Sequence, residues 1–220
     1  TSTVQNNNDT GIYATGSGSV SISGTTFTGN TNYDLNDSNN NAGSVTGSTF
    51  NGTVSFAYAA ATVTLSGNTF NNWGTTSPHI SQLTPNQAAR LTLDNTVNKV
   101  GGGRYNVVGG TQSRDGEWQT AAGDPVLAGA VYVQGTDGPD GVTTLTVDPG
   151  MTVRGSSGSI YVGNGGPGAL IADGNTGPGA PATILFTTAS GSPAPGQWGG
   201  INFMTQTSAA VGSIVRNATV

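Results

Sequence analysis

Side chains able to do acid–base or metal chemistry are few in these 220 residues, and they are scattered. Glu117 is the only glutamate, Lys99 the only lysine and His79 the only histidine, and there is no cysteine. One His without Cys excludes the usual zinc sites, which draw on several such ligands. His79, in Ser77-Pro-His-Ile80 with no carboxylate beside it in sequence, reads as a loop residue rather than a proton carrier. Asp137-Gly-Pro-Asp-Gly141 sets two carboxylates on a tight turn, so Asp137 and Asp140 are weak calcium candidates. Turn chemistry alone accounts for the same residues, and the glycine-rich nonapeptides of calcium-binding β-rolls are absent. Asp34 and Asp37 lie within an asparagine-rich turn and read as local caps of it. No pair of carboxylates stands at a spacing that defines a general acid and base, so no catalytic residue and no cofactor are assigned.

Aromatic side chains could instead hold a sugar ring by stacking. Of Trp73, Trp118 and Trp198, the ligand-contact candidate is Trp118, which sits in an irregular stretch beside Arg114 and Asp115. Trp198 reads as a packing residue. Thr-x-Thr pairs (Thr26/Thr28, Thr62/Thr64, Thr144/Thr146) suggest a flat ice-binding face, but they fall at different offsets from the neighbouring phenylalanines, which argues against it. Four Asn-x-Ser/Thr sequons are expected by chance in a chain this rich in Asn and Thr.

Gly, Thr, Asn and Ser together supply half the residues, and only 8% are charged, against about a quarter in ordinary domains. That composition excludes coiled coils and helical bundles. Six scattered basic residues and a net charge of −5 leave no phosphate-binding track, so nucleic acid is not an expected partner. No apolar run approaches the roughly 18 residues of a membrane span. The small, hydroxyl-rich composition fits an extracellular or cell-surface location, and the chain reads as part of something longer.

The elements that must carry these residues repeat. Val20-Ser-Ile-Ser-Gly-Thr-Thr-Phe27, Val45-Thr-Gly-Ser-Thr-Phe50 and Val63-Thr-Leu-Ser-Gly-Asn-Thr-Phe70 align, and Leu91-Thr-Leu-Asp-Asn-Thr-Val97 is a fourth copy one residue shorter. The anchors lie 20 to 27 residues apart, the period of a stacked solenoid. Short strands with Ile, Val, Leu and Phe inward and Thr and Ser outward, and no helical periodicity, predict an all-β chain. Stacking would lay Phe on Phe and Asn on Asn. Gly29-Asn30, Asn51-Gly52 and Asn71-Asn72 are the expected left-handed turns. Leucine-rich repeats share the period but need a leucine lattice that is missing.

Composition shifts near residue 100: sixteen of the 21 Asn precede Lys99, and 26 of the 36 Gly follow it. Three segments are therefore expected: coils over 1–98, an irregular linker or loop excursion over 99–125, and further coils over 126–220. One solenoid with an inserted loop and two solenoids in tandem both remain open.

Leu145-Thr-Val-Asp-Pro-Gly-Met-Thr-Val153, Gly168-Ala-Leu-Ile-Ala172, Ala182-Thr-Ile-Leu-Phe-Thr-Thr188, Pro195-Gly-Gln-Trp-Gly-Gly-Ile201 and Gly212-Ser-Ile-Val-Arg-Asn217 come in this order. They resemble the opening coils of pectin-lyase-like parallel β-helix modules in large bacterial secreted and adhesin-like surface proteins. The resemblance covers about 126–220 and implies a right-handed parallel β-helix, a hand that the general crossover rule also favours. It implies a structural or adhesive rod, or an extracellular fibre, whose partners are copies of itself or surface glycans. A polysaccharide lyase or hydrolase with its catalytic coils elsewhere, or a phage-type tail spike, are the alternatives. The acidic trio or basic pair of the pectin-cleaving members is absent. An open cleft gathering Arg90, Asp94, Arg114 and Asp115 would favour the enzyme.

Overall fold

The computed structural model describes residues 1–16, 18–38, 43–56, 64–73, 80–209 and 211–220. All strand pairings among the described residues are parallel, each strand bonding to its counterpart one coil later. The first coil gives β1 (Ser2–Gln5) and β2 (Thr10–Ala14). Three coils of three strands follow: β3 (Ser21–Ser23), β4 (Thr25–Thr28) and β5 (Tyr33–Asp37); β6 (Ser44–Thr46), β7 (Thr49–Phe50) and β8 (Val54–Phe56); β9 (Thr64–Ser66), β10 (Thr69–Trp73) and β11 (Ile80–Leu83). The fifth holds two helical turns, α1 (Pro85–Ala89) and α2 (Leu91–Asp94), then β12 (Thr96–Lys99) and β13 (Arg104–Val107). The remaining coils are β14 (Gly110–Gln112), β15 (Gly116–Trp118) and β16 (Asp124–Leu127); β17 (Val131–Val133), β18 (Thr143–Val147) and β19 (Thr152–Gly155); β20 (Ile160–Val162), β21 (Gly168–Asp173) and β22 (Ile184–Thr188); β23 (Ile201–Phe203), β24 (Ile214–Arg216) and β25 (Ala218–Thr219).

One nine-stranded sheet, β2-β5-β8-β11-β13-β16-β19-β22-β25, takes a strand from every coil and forms a spine. In the first half it is joined by β1-β4-β7-β10-β12, here the Phe sheet, and by the short sheet β3-β6-β9. In the second half it is joined by β14-β17-β20-β23, the Tyr sheet, and β15-β18-β21-β24, the Leu sheet. The result is a nearly all-β stack of coils, the pattern of a β-solenoid. Coil length is less regular than the sequence period: Leu35 pairs with Val54, 19 residues on, and Ile184 with Ala218, 34 residues on.

The core is built of in-register columns. Val4, Phe27, Phe50, Phe70 and Val97 succeed one another along the Phe sheet. Ring centroids lie 4.8 Å apart for Phe27–Phe50 and 5.4 Å for Phe50–Phe70, close to the strand spacing of roughly 4.8 Å. Burying each Phe is worth about 1.5–3 kcal/mol, and the offset stack adds about 0.5–1.5 kcal/mol per pair. Asparagine columns run beside them. Asn71 Nδ2 donates to Asn51 Oδ1 (2.9 Å) and Asn98 Nδ2 to Asn71 Oδ1 (2.7 Å). A second, buried column joins Asn68 Nδ2 to Asn95 Oδ1 (3.0 Å) and to the Val45 carbonyl (2.7 Å).

The left-handed corner is not where the sequence places it. Asn51, Gly52 and Asn71 are not left-handed, and of the expected turn residues with described backbone only Gly29 has positive φ. The repeating corner is instead Gly24, Gly47 and Gly67, with φ of 56°, 57° and 65°, which swing the chain from the short sheet into the Phe sheet. Each donates its N–H to the coil after it, to the carbonyls of Thr46, Ser66 and Asp94. The residue missing from the fourth repeat is this glycine: Asp94 is followed directly by Asn95. There the short sheet stops, and Leu91–Asp94 winds as α2 instead of a strand. The helical pair itself corrects the expectation of none. Thr84-Pro-Asn-Gln87 is a capping box, in which Gln87 N donates to Thr84 Oγ1 (3.3 Å) and Thr84 N to Gln87 Oε1 (2.9 Å), with Pro85 at the first position.

Residues 99–125 are neither linker nor excursion. β13 pairs with β11 and β16 along the spine, while β14 and β15 found the Tyr and Leu sheets. The alternation escaped detection because each strand has only one or two inward positions and one of them is polar. Gln112 is wholly buried, its Nε2 donating to the Arg114 and Thr144 carbonyls.

Candidate functional site

Trp118 is wholly buried in the inward slot of β15, in register with Val147. It is a core residue and cannot stack on a ligand, which corrects its assignment as the ligand-contact residue. Its segment is a regular strand that shows no apolar alternation in sequence: in Gly116-Glu-Trp118 the strand turns Glu117 outward and Trp118 inward. Trp73 has only its backbone described, in β10, and His79 lies outside the described residues. Trp198 is half-buried and packs as expected, its ring 6.2 Å from Phe186 and lying over Gly155, where a Cβ would come within 2.5 Å of the indole.

The calcium candidates meet a third carboxylate, Asp115, from the preceding coil, but backbone amides occupy all three. Asp115 N donates to Asp137 Oδ2 (2.8 Å), Val142 N to Asp140 Oδ1 (3.0 Å) and Thr144 N to Asp115 Oδ1 (2.8 Å). Among the described residues no group of three or more His, Cys, Asp or Glu forms a metal cluster. Arg90 donates to Asp94 through Nε and Nη2 (3.0 and 2.8 Å) and through Nη1 to the Asp115 carbonyl (3.3 Å). Arg90, Asp94 and Asp115 therefore do converge, as braces of the helical coil, and they line neither of the grooves described below. Asp34 is buried in β5 and caps both its own turn and the following coil, accepting from Asn30 Nδ2 (2.8 Å), Asn51 N (2.8 Å) and Gly52 N (2.6 Å).

Two carboxyls on the corner between the Leu sheet and the spine have opposite characters. Asp148 follows Val147 and is almost closed to solvent. Burial first, and then a hydrogen bond with Glu117, push its carboxyl up to about 6, against the pull of the Thr120 N–H at 2.9 Å. Glu117 also accepts from Gln119 Nε2 (2.6 Å). The only glutamate thus stands beside an aspartate whose carboxyl holds its proton in mildly acidic water. One coil later Asp173 is gripped by Nε and Nη2 of Arg216, which hold its carboxyl well below the usual carboxylate range. Neither carboxyl lines a groove, so the chemistry available to this corner is proton uptake and ion pairing.

Two grooves flank the 193–197 segment of the connection between β22 and β23. One, of about 510 Å³, is lined by Ser156, Ser157, Thr188, Ser190 and Gln197 among others. Its neighbour, of about 360 Å³, is lined by Phe186, Pro193, Pro195 and Trp198 among others. They share Thr188 and Gly196. No charged side chain lines either one. Sequence reasoning missed this site because its walls come from three coils. The signal available was the length of the Gly/Ser/Pro stretch 189–200.

The outer faces also became legible only with register. Thr3, Thr26, Thr49, Thr69 and Thr96 form one column on the Phe sheet, whereas of the Thr-x-Thr pairs read from sequence Thr26, Thr64 and Thr144 lie in three different sheets and Thr62 lies outside the described residues. On the Tyr sheet the outward column is Thr111, Tyr132, Tyr161 and Asn202, with the two tyrosine rings stacked at 5.2 Å. Among the described residues no helix is long and apolar enough to cross a membrane. Comparison with protein-family models, curated proteins and solved structures finds no match to this chain.

Proposed function

We propose that this chain is a stretch of right-handed parallel β-helix of the pectin-lyase-like type, working as a structural and adhesive rod within a secreted or cell-surface protein. The observation that carries this reading is the unbroken nine-stranded spine. It links every coil by backbone hydrogen bonds and needs neither disulfide nor metal to extend. The acidic and basic side chains support it too, since Arg90, Arg154 and Arg216 are spent on Asp94, Asp124 and Asp173 in braces within and between coils. Negative-stain imaging of the native full-length protein tests it. Straight rods or fibres with a regular axial repeat are expected, and compact particles would sink the rod.

A further inference from the structure

Asn51-Gly52 and Asn164-Gly165 are the two Asn-Gly steps of the chain. Such a step carries its own reagent. The glycine nitrogen, once it has given up its proton to solvent, bonds to the asparagine Cγ and expels the side-chain nitrogen as ammonia. Glycine has no Cβ to hinder that approach. Water then opens the cyclic imide at either carbonyl, leaving aspartate, or isoaspartate with its main chain running through the former side chain. Water is the only other reactant. In a folded chain the rate depends on whether the glycine N–H and the asparagine amide are free to leave their hydrogen bonds and meet.

Both glycine N–H groups are held from the coil before. Gly52 N donates to Asp34 Oδ2 (2.6 Å) and Gly165 N to Gln134 Oε1 (2.8 Å). The two steps part company at the asparagine. Asn51 is half-buried, its Nδ2 donating to the Phe27 carbonyl (2.6 Å) and its Oδ1 accepting from Asn71 Nδ2 (2.9 Å). Its amide is pinned at both ends by neighbouring coils, and turning Cγ toward Gly52 would break the outer ladder. Asn164 stands exposed on the corner between β20 and β21, and among the described residues no protein group binds its amide. One hydrogen bond restrains this step. Its acceptor is the side chain of Gln134, a half-buried residue just after β17 whose own N–H is fixed on the Gln112 carbonyl (3.0 Å).

We propose that Asn164 is the chain's site of spontaneous deamidation, and that the Gln134 side chain, one coil earlier, sets its pace by holding the Gly165 N–H. Asn51 is preserved by its ladder. The inference concerns the chemical lifetime of the chain and stands independently of the rod reading. Isoaspartate lengthens the main chain just ahead of Gly168, where an added Cβ would already meet the Val133 carbonyl at 2.1 Å, so the change falls on a corner with little room to absorb it.

The test is to age the folded protein for weeks in mildly alkaline buffer, map its peptides by mass spectrometry and count isoaspartate by enzymatic methylation. The Asn164 peptide is expected to gain the mass of an amide-to-acid change and to carry isoaspartate, while the Asn51 peptide stays intact. In guanidinium chloride both steps should convert at similar rates, since only the fold separates them. Gln134→Ala should speed conversion at Asn164 roughly twofold to tenfold, the worth of one hydrogen bond, and leave Asn51 unchanged. Gln134→Glu keeps an acceptor in place and should hold the rate near that of the parent chain. The four Asp-Gly steps isomerise through the same imide without a change in mass, so they do not obscure the result. An Asn164 that stays intact while the unfolded chain reacts, an Asn51 that converts as fast as Asn164 in the fold, or a rate at Asn164 indifferent to Gln134→Ala overturns the proposal. So does a substitution that speeds both steps together, which would trace the effect to a loosened fold instead of to this bond.

Discussion

The first and second halves of the stack solve the same problem with different residues. From β1 to β12 each coil repeats its neighbour: Phe on Phe inside, Asn on Asn beside it, Thr on Thr outside. From β14 onward the interior is mainly aliphatic, Val131 and Val133 on Ile160 and Val162, Leu145 on Leu170, with Trp118 and Phe186 unstacked on their like, while the outward columns change identity from coil to coil. Repetition gives the first half bonds along the axis but leaves its described faces uniform. Divergence gives the second half long corners, the longest being residues 189–200 between β22 and β23. The coil carrying α1 and α2, where the corner glycine is missing, divides the two regimes.

The largest expected effect tests whether the stacked rings are the first half's main support. Phe50→Ala should cost about 3–5 kcal/mol, read as a shift in the denaturation midpoint. A double-mutant cycle of Phe27→Leu and Phe50→Leu should show about 0.5–1.5 kcal/mol of coupling. Independent losses would mean that the rings bury area without supporting one another. Next comes the contrast between asparagine columns. Asn68 is buried and bonds both Asn95 and the Val45 carbonyl, so Asn68→Ala strands buried acceptors at about 1–3 kcal/mol. Asn71 belongs to the outer ladder, and Asn71→Ala should cost less than about 1 kcal/mol. Equal losses would break the distinction between an inner structural column and an outer one.

A third, smaller effect concerns the corner that only the first half has. At Gly47, φ 57° is a region an L side chain enters at about 1–2 kcal/mol, and the nearest atom to an added Cβ is 4.0 Å away. Gly47→Ala should therefore cost about that much from backbone strain alone. A neutral result would show that the corner can open without loss.

These residues also mark what the sequence made legible. The Phe column and the outer Asn column follow from spacing, because inward residues of equal size must stack when strands are parallel. The corner glycine was visible in Ser-Gly-Thr-Thr-Phe27 and Ser-Gly-Asn-Thr-Phe70. It was misjudged because Gly and Asn after the Phe are equally plausible turn formers, and only the backbone angle separates them. Residues 99–125 were opaque for a different reason: a three-residue strand such as Gly110–Gln112, with a buried amide as its inward residue, carries no hydrophobic period. The helical coil announced itself through the Thr84–Gln87 capping box but lacked an apolar stripe. The grooves were beyond reach, since Ser157, Thr188 and Gln197 belong to different stretches of chain and meet only through register.

The smallest effect separates two carboxyls within the second half, at successive levels of one corner. Asp148 ionises only near pH 6, raised by burial and by Glu117, whereas an unfolded Asp ionises near roughly 3.9. The folded state therefore binds the extra proton. Its contribution to stability is complete below about pH 4 and is lost as the pH climbs through 6. Asp173 runs the other way. Arg216 first, with the Asn175 N–H and the Thr176 hydroxyl, holds it ionised, so its contribution is present above about pH 4 and is lost as the solution is acidified below that. Denaturation midpoints measured from pH 3 to 7 should show Asp148→Asn removing the decline between about 4 and 6, and Asp173→Asn removing part of the loss on the acid side. Glu117→Gln should draw the Asp148 midpoint down toward the ordinary range, since it takes away the like charge. Solvent around the exposed Arg216 screens the Asp173 contribution, so it should stay below the cost of losing Phe50. If Asp148→Asn leaves the slope between pH 4 and 6 untouched, Asp148 holds no extra proton, and the corner is held by the Thr120 N–H and the Arg216 grip alone.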